Sequence, residues 1–592
     1  MAKFYLIDHS LKKVGSHHYE YALHILSAAE RAGYEPILGA NRKFTKGKEI
    51  SPAWRLNTDF RYSTYSEVSV VVNLARWLRR KEDAADAGAE LPWWRRSWKQ
   101  AHAGWGQFSE LRRLLRAERR IRSFAKGTRR LLKQFPLAAR DQVFLPTMNE
   151  LDLIGAQRVW AADPTTRQAD WHLQFHFNIE PDWEADPQLR AYHLGRIREI
   201  FARCRNRFPQ HRLFFHTTTE GLAAQYNRLE AVPFRWLPYP VNPAFESAKA
   251  SRRADAPLRV TCIGGVRVEK GIDVLPTLLR SVWQDTFLTG QAQLAIQAES
   301  EHKLPSEVRA LWSAQATAGR SSSESPDPLK LIPFPLDSDG YQRLITDSDI
   351  GLLLYDRHQY QARCSGVLVE LLSAGVPVLV PAGCWLADQI AEEIYRHREI
   401  VVAGMQRHGP EVRLDLRRLN GQAGTILQVA RPASHLLYSL RWQAREQAQT
   451  YCRLQMRQRN SSGRPLETTV EILSPRPDAQ TATMLVPLRA EAAQVEIEWR
   501  TALTDQPLEV LAAGAQFLAT GPEAIAMPRG AVGLLFSDPA QTPDLLRDLV
   551  THYRHYERTA AAFARRFFAE HSPAHVVAML GSLSAGTTSR AA

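Results

Sequence analysis

The chain has 592 residues, 44% of them hydrophobic, and a formal net charge of +14. This length allows two to four domains. No run of 18 or more residues is apolar enough to span a bilayer, and the opening "MAKFYLID" resembles a strand more than a signal peptide. We therefore expect a cytoplasmic protein. The five cysteines are scattered without a CxxC pair, so neither a disulfide framework nor a zinc site is indicated.

The first elements alternate between strand and helix. Residues 4–7 read as a strand, 19–31 as an amphipathic helix closed by Gly33, and "EPILGAN" as a second strand. Further strands are indicated by "DQVFLPT", "DWHLQFHFN" and "HRLFFHT", and threonines follow the last one where a helix cap would lie. This alternation is typical of a parallel sheet covered by helices. It predicts a Rossmann-like domain over residues 1–242.

A basic segment interrupts this domain. Residues 93–135 contain 13 Lys and Arg against two Glu, together with four Trp. We predict a basic helical segment over 80–135 and weigh three interpretations of it. It is a solvated helical face, or a contact with the anionic inner face of a membrane or with a lipid-linked acceptor. Nucleic acid is the weakest interpretation, because no recognition motif accompanies the charge, and we expect no nucleic-acid partner.

The proline-punctuated "LPYPVNPAF" cannot be a helix interior and marks a domain boundary. Strand–helix alternation resumes beyond it and predicts a second Rossmann-like domain over 257–404. Residues 405–515 contain alternating segments about ten residues apart, which predicts an inserted β-sandwich. Residues 522–580 then complete the second domain and cross back to the first. The fold class is α/β, with two doubly wound domains and one β-rich insertion.

Two such domains joined by a hinge are expected to bind ligands beyond the carboxyl ends of their strands. In "KKVGSHHYEY", Gly15 and the adjacent Ser16 lie between a strand and a helix. A glycine there lets a ligand approach the backbone, and a helix N-terminus suits a phosphate. A simple tight turn explains Gly15 equally well.

A second loop, "GGVRVEKGIDVLP", follows a predicted strand. Gly264 and Gly265 end the strand, and Lys270 with Gly271 is expected to open a helix. Arg267 and Lys270 would then lie near a helix N-terminus, which favours anions over cations. An anionic ligand resolves this conflict, so we predict phosphate binding here.

The stretch "CSGVLVELLSAGVPVLVP" carries a single carboxylate in an apolar sequence. Ser365 and Gly366 lie at a predicted helix N-terminus with amides available to a ligand. Glu370 is expected on the cleft side of the same helix, where a carboxylate can accept hydrogen bonds from the hydroxyls of a ribose. Arg363, just before the turn, is placed to reach a phosphate. Alternatively, Glu370 only favours the positive end of the helix.

His176 follows a predicted strand of the first domain, in "QFHFNIEP". Its imidazole would face the cleft if this strand ends where the pattern indicates. A structural histidine is the competing interpretation.

Taken together, these segments resemble the GT-B glycosyltransferases, most closely glycosyltransferase family 4. "IGGVRVEKGIDVL" is similar to the glycine-rich Lys-Gly loop of that family, and "SGVLVELLSAGVPVLVP" to the second half of its glutamate signature. "LPYPVNPAF" resembles its interdomain linker. "GLLFSDPAQTPDLLRDLV" with "FARRFFAEHSPAHVVAML" resembles its closing segment. The resemblance covers the chain apart from the β-rich insertion and the basic segment, and it rests on the order and spacing of the motifs.

The resemblance implies a retaining glycosyltransferase (EC 2.4 type) of polysaccharide biosynthesis. Such an enzyme moves a sugar from a nucleotide-diphosphate-sugar donor to a glycan, a lipid-linked molecule or a small molecule. The nucleotide-sugar is its substrate, and the family implies neither a metal ion nor another cofactor.

The resemblance also assigns roles. Lys270 would bind the diphosphate and Glu370 the ribose, while the amides from Ser365 to Val367 would contact the diphosphate or the sugar. Gly15 would face the donor phosphate, and His176 would match the active-site histidine. The candidate catalytic residues are therefore His176, Arg267 and Lys270; the candidate donor-binding residues are Gly15, Ser16, Gly264, Gly265, Arg363, Ser365, Gly366, Val367 and Glu370.

Two positions depart from the family pattern. Gly265 stands where the family has an arginine, and Ala362 where it has a second glutamate. Compensation by Arg267 and Arg363, altered donor handling and weakened catalysis are all open. So are a sugar-nucleotide epimerase of the same fold and a carbohydrate-binding protein that works through the insertion. A phosphorylase is disfavoured, because no pyridoxal-phosphate lysine motif is evident.

Overall fold

The computed structural model describes residues 1–14, 17–45, 47, 50–64, 93–179, 187–249, 256–318, 327–403, 405–413, 423–429, 432–444, 452–473, 480–501, 508–519 and 527–588. The chain divides into two compact units. Unit 1 comprises Met1–Asn242 with His571–Ala592, and unit 2 comprises Pro243–Glu570. Within the described ranges, no helix is long and apolar enough to cross a membrane.

Unit 1 is built on a seven-stranded sheet in the order β3-β2-β1-β4-β5-β6-β7, and all neighbouring strands are parallel. The strands are β1 Lys3–Asp8, β2 Glu35–Asn41, β3 Arg55–Phe60, β4 Gln142–Met148, β5 Asp170–Phe175, β6 Arg212–Thr217 and β7 Phe234–Trp236. The helices are α1 His17–Arg31, α2 Trp93–Gln134, α3 Glu150–Ala162, α4 Pro187–Arg207 and α5 Glu220–Asn227. In a doubly wound sheet of this order, ligands bind beyond the carboxyl ends of the strands where the order reverses, here β1 and β4.

Local sequence explains where the helices of unit 1 begin. Asn149 caps α3, since its side chain accepts hydrogen bonds from the amides of Leu151 and Asp152, and the Asp152 carboxylate accepts one from the Asn149 amide. Thr219 caps α5 by accepting from the Leu222 amide. Thr219 is one of the threonines for which the sequence analysis predicts a helix cap. Strands β4 and β5 are buried at every residue, as expected of strands covered on both faces.

The basic segment forms one helix, α2, over its described part, and residues 80–92 of the predicted segment lie outside the described residues. The second half of α2 is amphipathic. Phe124 and Leu131 belong to the core of unit 1, and Arg120 is only 2% exposed. Arg122 and Arg130 remain well exposed and pair with Glu118 and Asp59 respectively. One face of α2 therefore anchors the helix, and the other is charged.

The end of the chain belongs to unit 1. Helix α14, Pro573–Thr588, contacts α1. Ser584 on α14 accepts a hydrogen bond of 3.0 Å from the Gln142 side chain at the start of β4. The Val241 amide donates to the His571 carbonyl over 2.9 Å. The helix extends to Thr588, eight residues beyond the predicted end at 580.

Unit 2 contains a six-stranded parallel sheet in the order β10-β9-β8-β11-β12-β21. Counted from β8, this is the same doubly wound order as in unit 1, and it reverses between β8 and β11. The strands are β8 Leu258–Cys262, β9 Ala292–Ala298, β10 Leu329–Pro333, β11 Ile350–Leu352, β12 Val378–Pro381 and β21 Gly533–Phe536. The helices are α6 Leu275–Val282, α7 Ser306–Ala318, α8 Ser338–Thr346, α9 Gly366–Ala374, α10 Trp385–Asp388, α11 Ala391–Ala403, α12 Thr542–Thr551 and α13 Tyr553–His571, whose last residue opens the returning part of unit 1.

Between β12 and β21, the described residues form eight antiparallel strands. They form two four-stranded sheets, β13-β20-β15-β18 and β14-β19-β16-β17. Their bounds are β13 Gln406–Arg413, β14 Ala423–Gln428, β15 His435–Ala444, β16 Cys452–Arg459, β17 Pro465–Leu473, β18 Gln480–Pro487, β19 Gln494–Thr501 and β20 Leu508–Ala519. Alternate residues of both sheets, such as Leu440 and Met456, share one buried core.

Candidate functional site

The carboxyl end of β8 carries the glycine-rich loop at the point where the sheet order of unit 2 reverses. Gly264 and Gly265 follow β8 with φ of 102° and 76°. A Cβ on Gly264 would lie 1.9 Å from Lys270 Nζ, so the lysine ammonium occupies the space that a side chain would fill. The Gly264 amide donates to the buried Gln297 side chain on β9 over 2.8 Å, which fixes the loop. The missing side chain at Gly264 is therefore what admits Lys270.

Lys270 lies on a single 3-10 turn, Val268–Lys270, which Gly271 closes at φ 76°. The prediction that Lys270 and Gly271 open a helix is wrong, because α6 begins only at Leu275. Gly271 is in the left-handed region, and a Cβ there would lie 1.8 Å from the Leu354 carbonyl oxygen. The backbone turns sharply at this glycine, and the helix-dipole argument for phosphate binding therefore does not apply to this loop.

The surroundings of Lys270 nonetheless favour the binding of an anion. Its ammonium lies 5.2 Å from the centre of the Tyr355 ring. Burial, followed by the positive charges of Arg267 and Arg363, lowers the pKa of Lys270 to about 8, although Tyr360 and Glu269 oppose the shift. Three cations thus converge on one small cavity edge at the carboxyl end of the sheet.

Arg267 and Arg363 frame this cation cluster. Arg267 is half exposed and lies 3.6 Å from the Glu269 carboxylate. The Arg363 guanidinium stacks on the Tyr360 ring at 5.3 Å, and the rings of Tyr360 and Tyr355 are 4.6 Å apart. Arg267, Lys270, Gly265 and Tyr355 line the same cavity. Both arginines therefore lie near the lysine. Gly265, in the loop after β8, supplies no side chain, and the buried Ala362, in the segment before α9, supplies no charge.

Helix α9 begins as the sequence predicts. Ser365 is its N-cap and accepts from the Leu368 amide over 3.3 Å, and Gly375 closes it at φ 85°. The amides of Gly366 and Val367 have no acceptor within a helix that starts at Gly366. Arg363 and these amides together provide a positively polarised corner.

Glu370 is the fifth residue of α9 and half-buried. The helix dipole acts mainly on the first turn, so it does not explain a carboxylate at this position. The Tyr341 hydroxyl on α8 donates a short hydrogen bond to Glu370 Oε2. The pKa of Tyr355 is raised first by burial and also by the charge of Glu370, which places the carboxylate near the lysine cavity. Tyr341 thus orients Glu370, a contact that sequence analysis did not find.

In unit 1, Gly15 and Ser16 lie outside the described residues. Helix α1 begins directly after them, at His17. His176 follows the last residue of β5, as predicted, and is half-buried. Its Nε2 donates a short hydrogen bond to the Pro146 carbonyl in β4, so this nitrogen carries a proton. The structure thus places His176 at the carboxyl edge of its sheet.

A buried polar cluster that the sequence analysis missed lies at the carboxyl ends of β1 and β4. The Asp152 carboxylate is 3.1 Å from the Arg120 guanidinium and 3.3 Å from His9 Nε2. Thr64 contacts both His9 and Asp152. Burial alone would raise the pKa of Asp152, but His9 and Arg120 hold it below its ordinary value. The carboxylate is therefore ionised at neutral pH.

A second contact between a carboxylate and a histidine adjoins the end of β1. The Asp8 carboxylate lies 2.7 Å from His18 Nδ1 in the first turn of α1. Burial opposes ionisation of Asp8, yet His18 and His9 lower its pKa. The doublet Asp8-His9 directly after a strand was the available sequence signal. The partners Arg120 and Asp152 come from distant helices, and no local pattern announces them.

In the insertion, Tyr438 and Trp442 are buried within the common core of the two sheets. They therefore do not provide the exposed aromatic face that a carbohydrate-binding surface would need. Tyr451, another aromatic residue of the insertion that was a candidate for such a surface, lies outside the described residues. Among the described residues, no group of three or more His, Cys, Asp or Glu has the arrangement of a metal site.

No protein-family model matches this chain, and no curated protein matches it in sequence. Solved structures with a partial likeness include an α,α-trehalose 6-phosphate synthase from Burkholderia multivorans, at 11% identity and TM-score 0.40, which covers 66% of this chain and 86% of that one. Another is the E. coli trehalose-6-phosphate protein bound with UDP-2-fluoro glucose, at 13% identity and TM-score 0.39, with coverages of 66% and 86%. A third is a glycosyltransferase from Rickettsia africae, at 10% identity and TM-score 0.38, with coverages of 67% and 83%. Likeness at this level establishes no activity for the chain.

Proposed function

We propose that this protein is a glycosyltransferase that moves a sugar from a nucleotide-diphosphate-sugar to an acceptor, with retention of configuration. The observation that carries the proposal is that the Lys270 ammonium and the Glu370 carboxylate both lie near Tyr355, at the carboxyl end of the unit 2 sheet. A diphosphate needs concentrated positive charge, and a ribose needs a fixed acceptor for its hydroxyls. The loop after β8 supplies the positive charge and α9 supplies the carboxylate, and the fold holds both in place.

In this proposal, Lys270, Arg267 and Arg363 neutralise the diphosphate as it leaves the sugar. Charge develops on the leaving phosphate oxygen, and positive groups already in position stabilise it without reorganisation. The Gly366 and Val367 amides at the start of α9 donate to the phosphates. Each of these contacts grows stronger as the glycosidic bond breaks, which is the requirement for catalysis.

Glu370 would accept hydrogen bonds from the two ribose hydroxyls. The hydroxyl of Tyr341 holds one carboxylate oxygen, so the orientation is set before the ligand arrives. This contact selects for a nucleoside rather than for a bare diphosphate, and it leaves the base and the sugar open.

We assign the acceptor to unit 1. His176 directly follows β5, and Asp8, which contacts His18, is the last residue of β1. Doubly wound domains bind their ligands at these carboxyl ends of parallel strands. A glycan, a lipid-linked molecule and a small molecule are all compatible with these residues. The exposed arginines of α2 favour an acceptor presented at an anionic membrane surface.

We interpret the two antiparallel sheets of the insertion as an accessory β-sandwich. A variant that lacks residues 405–515 should keep nucleotide binding, since the residues of the proposed donor site lie outside this range. Unchanged transfer to a soluble acceptor would establish the accessory role, and loss of nucleotide binding in a folded variant would refute it.

The proposal is tested with radiolabelled UDP-, GDP- and ADP-sugars. We expect one of them to yield a labelled product, and Lys270→Ala and Glu370→Ala to abolish transfer. Lys303→Ala, which removes an exposed lysine elsewhere in unit 2, is the control and should leave transfer unchanged. Conversion of the sugar-nucleotide itself, with no acceptor labelled, would instead identify an epimerase.

A further inference from the structure

A second cavity lies in unit 1, at the amino ends of β5 and β6. Its volume is about 680 Å³, and its lining comes from α3, the last turn of α4 and the segments that precede the two strands. His176 follows the opposite end of β5, and the polar cluster lies at the same carboxyl edge of the sheet, after β1 and β4. A six-residue strand is about 20 Å long, so the cavity is well separated from the carboxyl edge of the sheet.

Four arginines surround the cavity: Arg158, Arg167, Arg203 and Arg207. Arg158 forms two hydrogen bonds of 2.8 Å with the Glu118 carboxylate, so its charge is balanced. For the other three, no ion pair with a carboxylate is found among the described residues. Arg203 and Arg207 are four residues apart on α4 and therefore lie on one face of it. The cavity thus has an excess of positive charge.

Exposed arginines at helix ends have an ordinary explanation, since the C-terminal end of a helix favours cations. This explanation does not apply to the two buried polar residues that also line the cavity. Trp160 is 2% exposed and His211 9% exposed, and both line the cavity. Neither Trp160 Nε1 nor His211 Nδ1 has a hydrogen-bond partner among the residues that the structure describes. A buried polar atom without a partner costs free energy, so these two atoms point to a ligand.

The chemistry of these two atoms differs. The indole N–H can only donate. The Thr166 hydroxyl donates to the Asp163 carbonyl over 2.5 Å and lies 2.9 Å from His211 Nε2, so Nε2 is the protonated nitrogen. His211 Nδ1 then carries a lone pair and accepts. The site offers several donors suited to an anion and one acceptor suited to a hydroxyl.

We propose that this cavity is a second ligand site, which binds the phosphoryl group of a hydroxyl-bearing phosphate ester. Arg167, Arg203 and Arg207 hold the phosphoryl oxygens, Trp160 Nε1 donates to one of them, and His211 Nδ1 accepts from a hydroxyl of the ligand. The C-terminal end of α4 opposes an anion, but a helix end carries only about half a charge against three full ones. A glycerophosphate headgroup of a lipid and a free phosphate ester share this chemistry.

The proposal is tested by following the indole N–H resonance of Trp160 in ¹⁵N-tryptophan-labelled full-length protein, assigned with Trp160→Phe. The probes are glycerol 1-phosphate, inorganic phosphate and vesicles of phosphatidylglycerol. We expect a saturable shift of this resonance with glycerol 1-phosphate, and a weaker one with inorganic phosphate, which offers fewer hydroxyls.

The double variant Arg203→Gln/Arg207→Gln should weaken this binding at least about tenfold. Arg205→Gln is the matched control, because Arg205 is exposed on the same helix but does not line the cavity. A shift produced only by vesicles would identify a lipid headgroup as the source of the phosphate. An unmoved Trp160 resonance with all three probes, or equal binding by the double variant, would overturn the proposal. None of these residues belongs to the nucleotide site, so either proposal can fail without the other.

Discussion

The contact between Gly264 and Lys270 gives the sharpest test of the nucleotide site. Gly264→Ala places a Cβ 1.9 Å from Lys270 Nζ, at a φ of 102° that favours glycine. The ammonium must therefore leave its position. A hydrogen bond to a charged group contributes about 1.5–3 kcal/mol, so its loss should weaken the binding of a nucleoside diphosphate roughly 10- to 150-fold.

Backbone strain alone would be a competing cause, and it costs about 1–3 kcal/mol. Gly290→Ala controls for it. Gly290 has a φ of 75° in the same unit, but nothing lies within 4 Å of the added Cβ. Isothermal titration with the best-bound nucleoside diphosphate should show weak binding for Gly264→Ala and normal binding for Gly290→Ala, while both variants melt at lower temperatures than the parent protein. Equal nucleotide affinity for Gly264→Ala and the parent would refute the role given to Lys270.

Three further outcomes are expected. Tyr341→Phe removes the hydroxyl that holds Glu370, so it should weaken nucleoside diphosphate binding about tenfold and leave inorganic pyrophosphate binding unchanged; equal losses for both ligands would contradict a ribose-specific role. Because the pKa of Lys270 is about 8, nucleotide affinity should fall as pH rises above about 8, and Lys270→Arg should remove this inflection; a parent profile that is flat to pH 9.5 would contradict the assignment. Burial, with the positive charge of Arg235, lowers the pKa of His216 to about 3, and burial lowers that of His571 to about 4. Both are neutral when folded and gain a proton when unfolded, so stability is full above about pH 6.5 and falls by about 1.4 kcal/mol per histidine per pH unit below it. The midpoint of urea unfolding of unit 1 should be lower at pH 5.5 than at pH 7. The difference between the two midpoints should be smaller in His216→Asn, and a midpoint that does not change with pH would refute the reasoning.

The strands and helices near the candidate site follow from sequence patterns because their signals are local. The strand at Glu35–Asn41 has the bounds that the apolar run indicates, and Ser365 and Gly375 cap α9 as their residue types predict. Glycine and serine act within a few residues of their own position, which is why such predictions are feasible.

The loop around Lys270 shows where local reasoning failed. The sequence indicated a helix start at Lys270, but Gly271 adopts a left-handed conformation against the Leu354 carbonyl and delays the helix to Leu275. That approach depends on the segment that follows β11, which is distant in sequence and therefore outside any local pattern. The lysine still lies beside Arg267, so the inference of a cationic site depended on the residue types rather than on the helix.

The contacts between distant segments were out of reach for the same reason. Arg120 on α2 meets Asp152 on α3, and Tyr341 on α8 meets Glu370 on α9. Burying the Arg120 guanidinium without a partner would cost too much free energy. A buried carboxylate partner could therefore be inferred only once the structure showed that Arg120 is buried. The sequence shows that Glu370 is the single carboxylate of an apolar helix, but it does not show that Tyr341 is its hydrogen-bond partner.

The central claim is that Lys270 and Glu370 hold a nucleoside diphosphate in unit 2. Isothermal titration of the full chain with UDP, GDP and ADP tests it most directly. We expect one of the three to bind with a stoichiometry of about one, binding to be lost in Lys270→Ala and in Glu370→Ala, and Lys303→Ala to behave as the parent. Absence of binding for all three nucleotides, or undiminished affinity in both site variants, would contradict the claim.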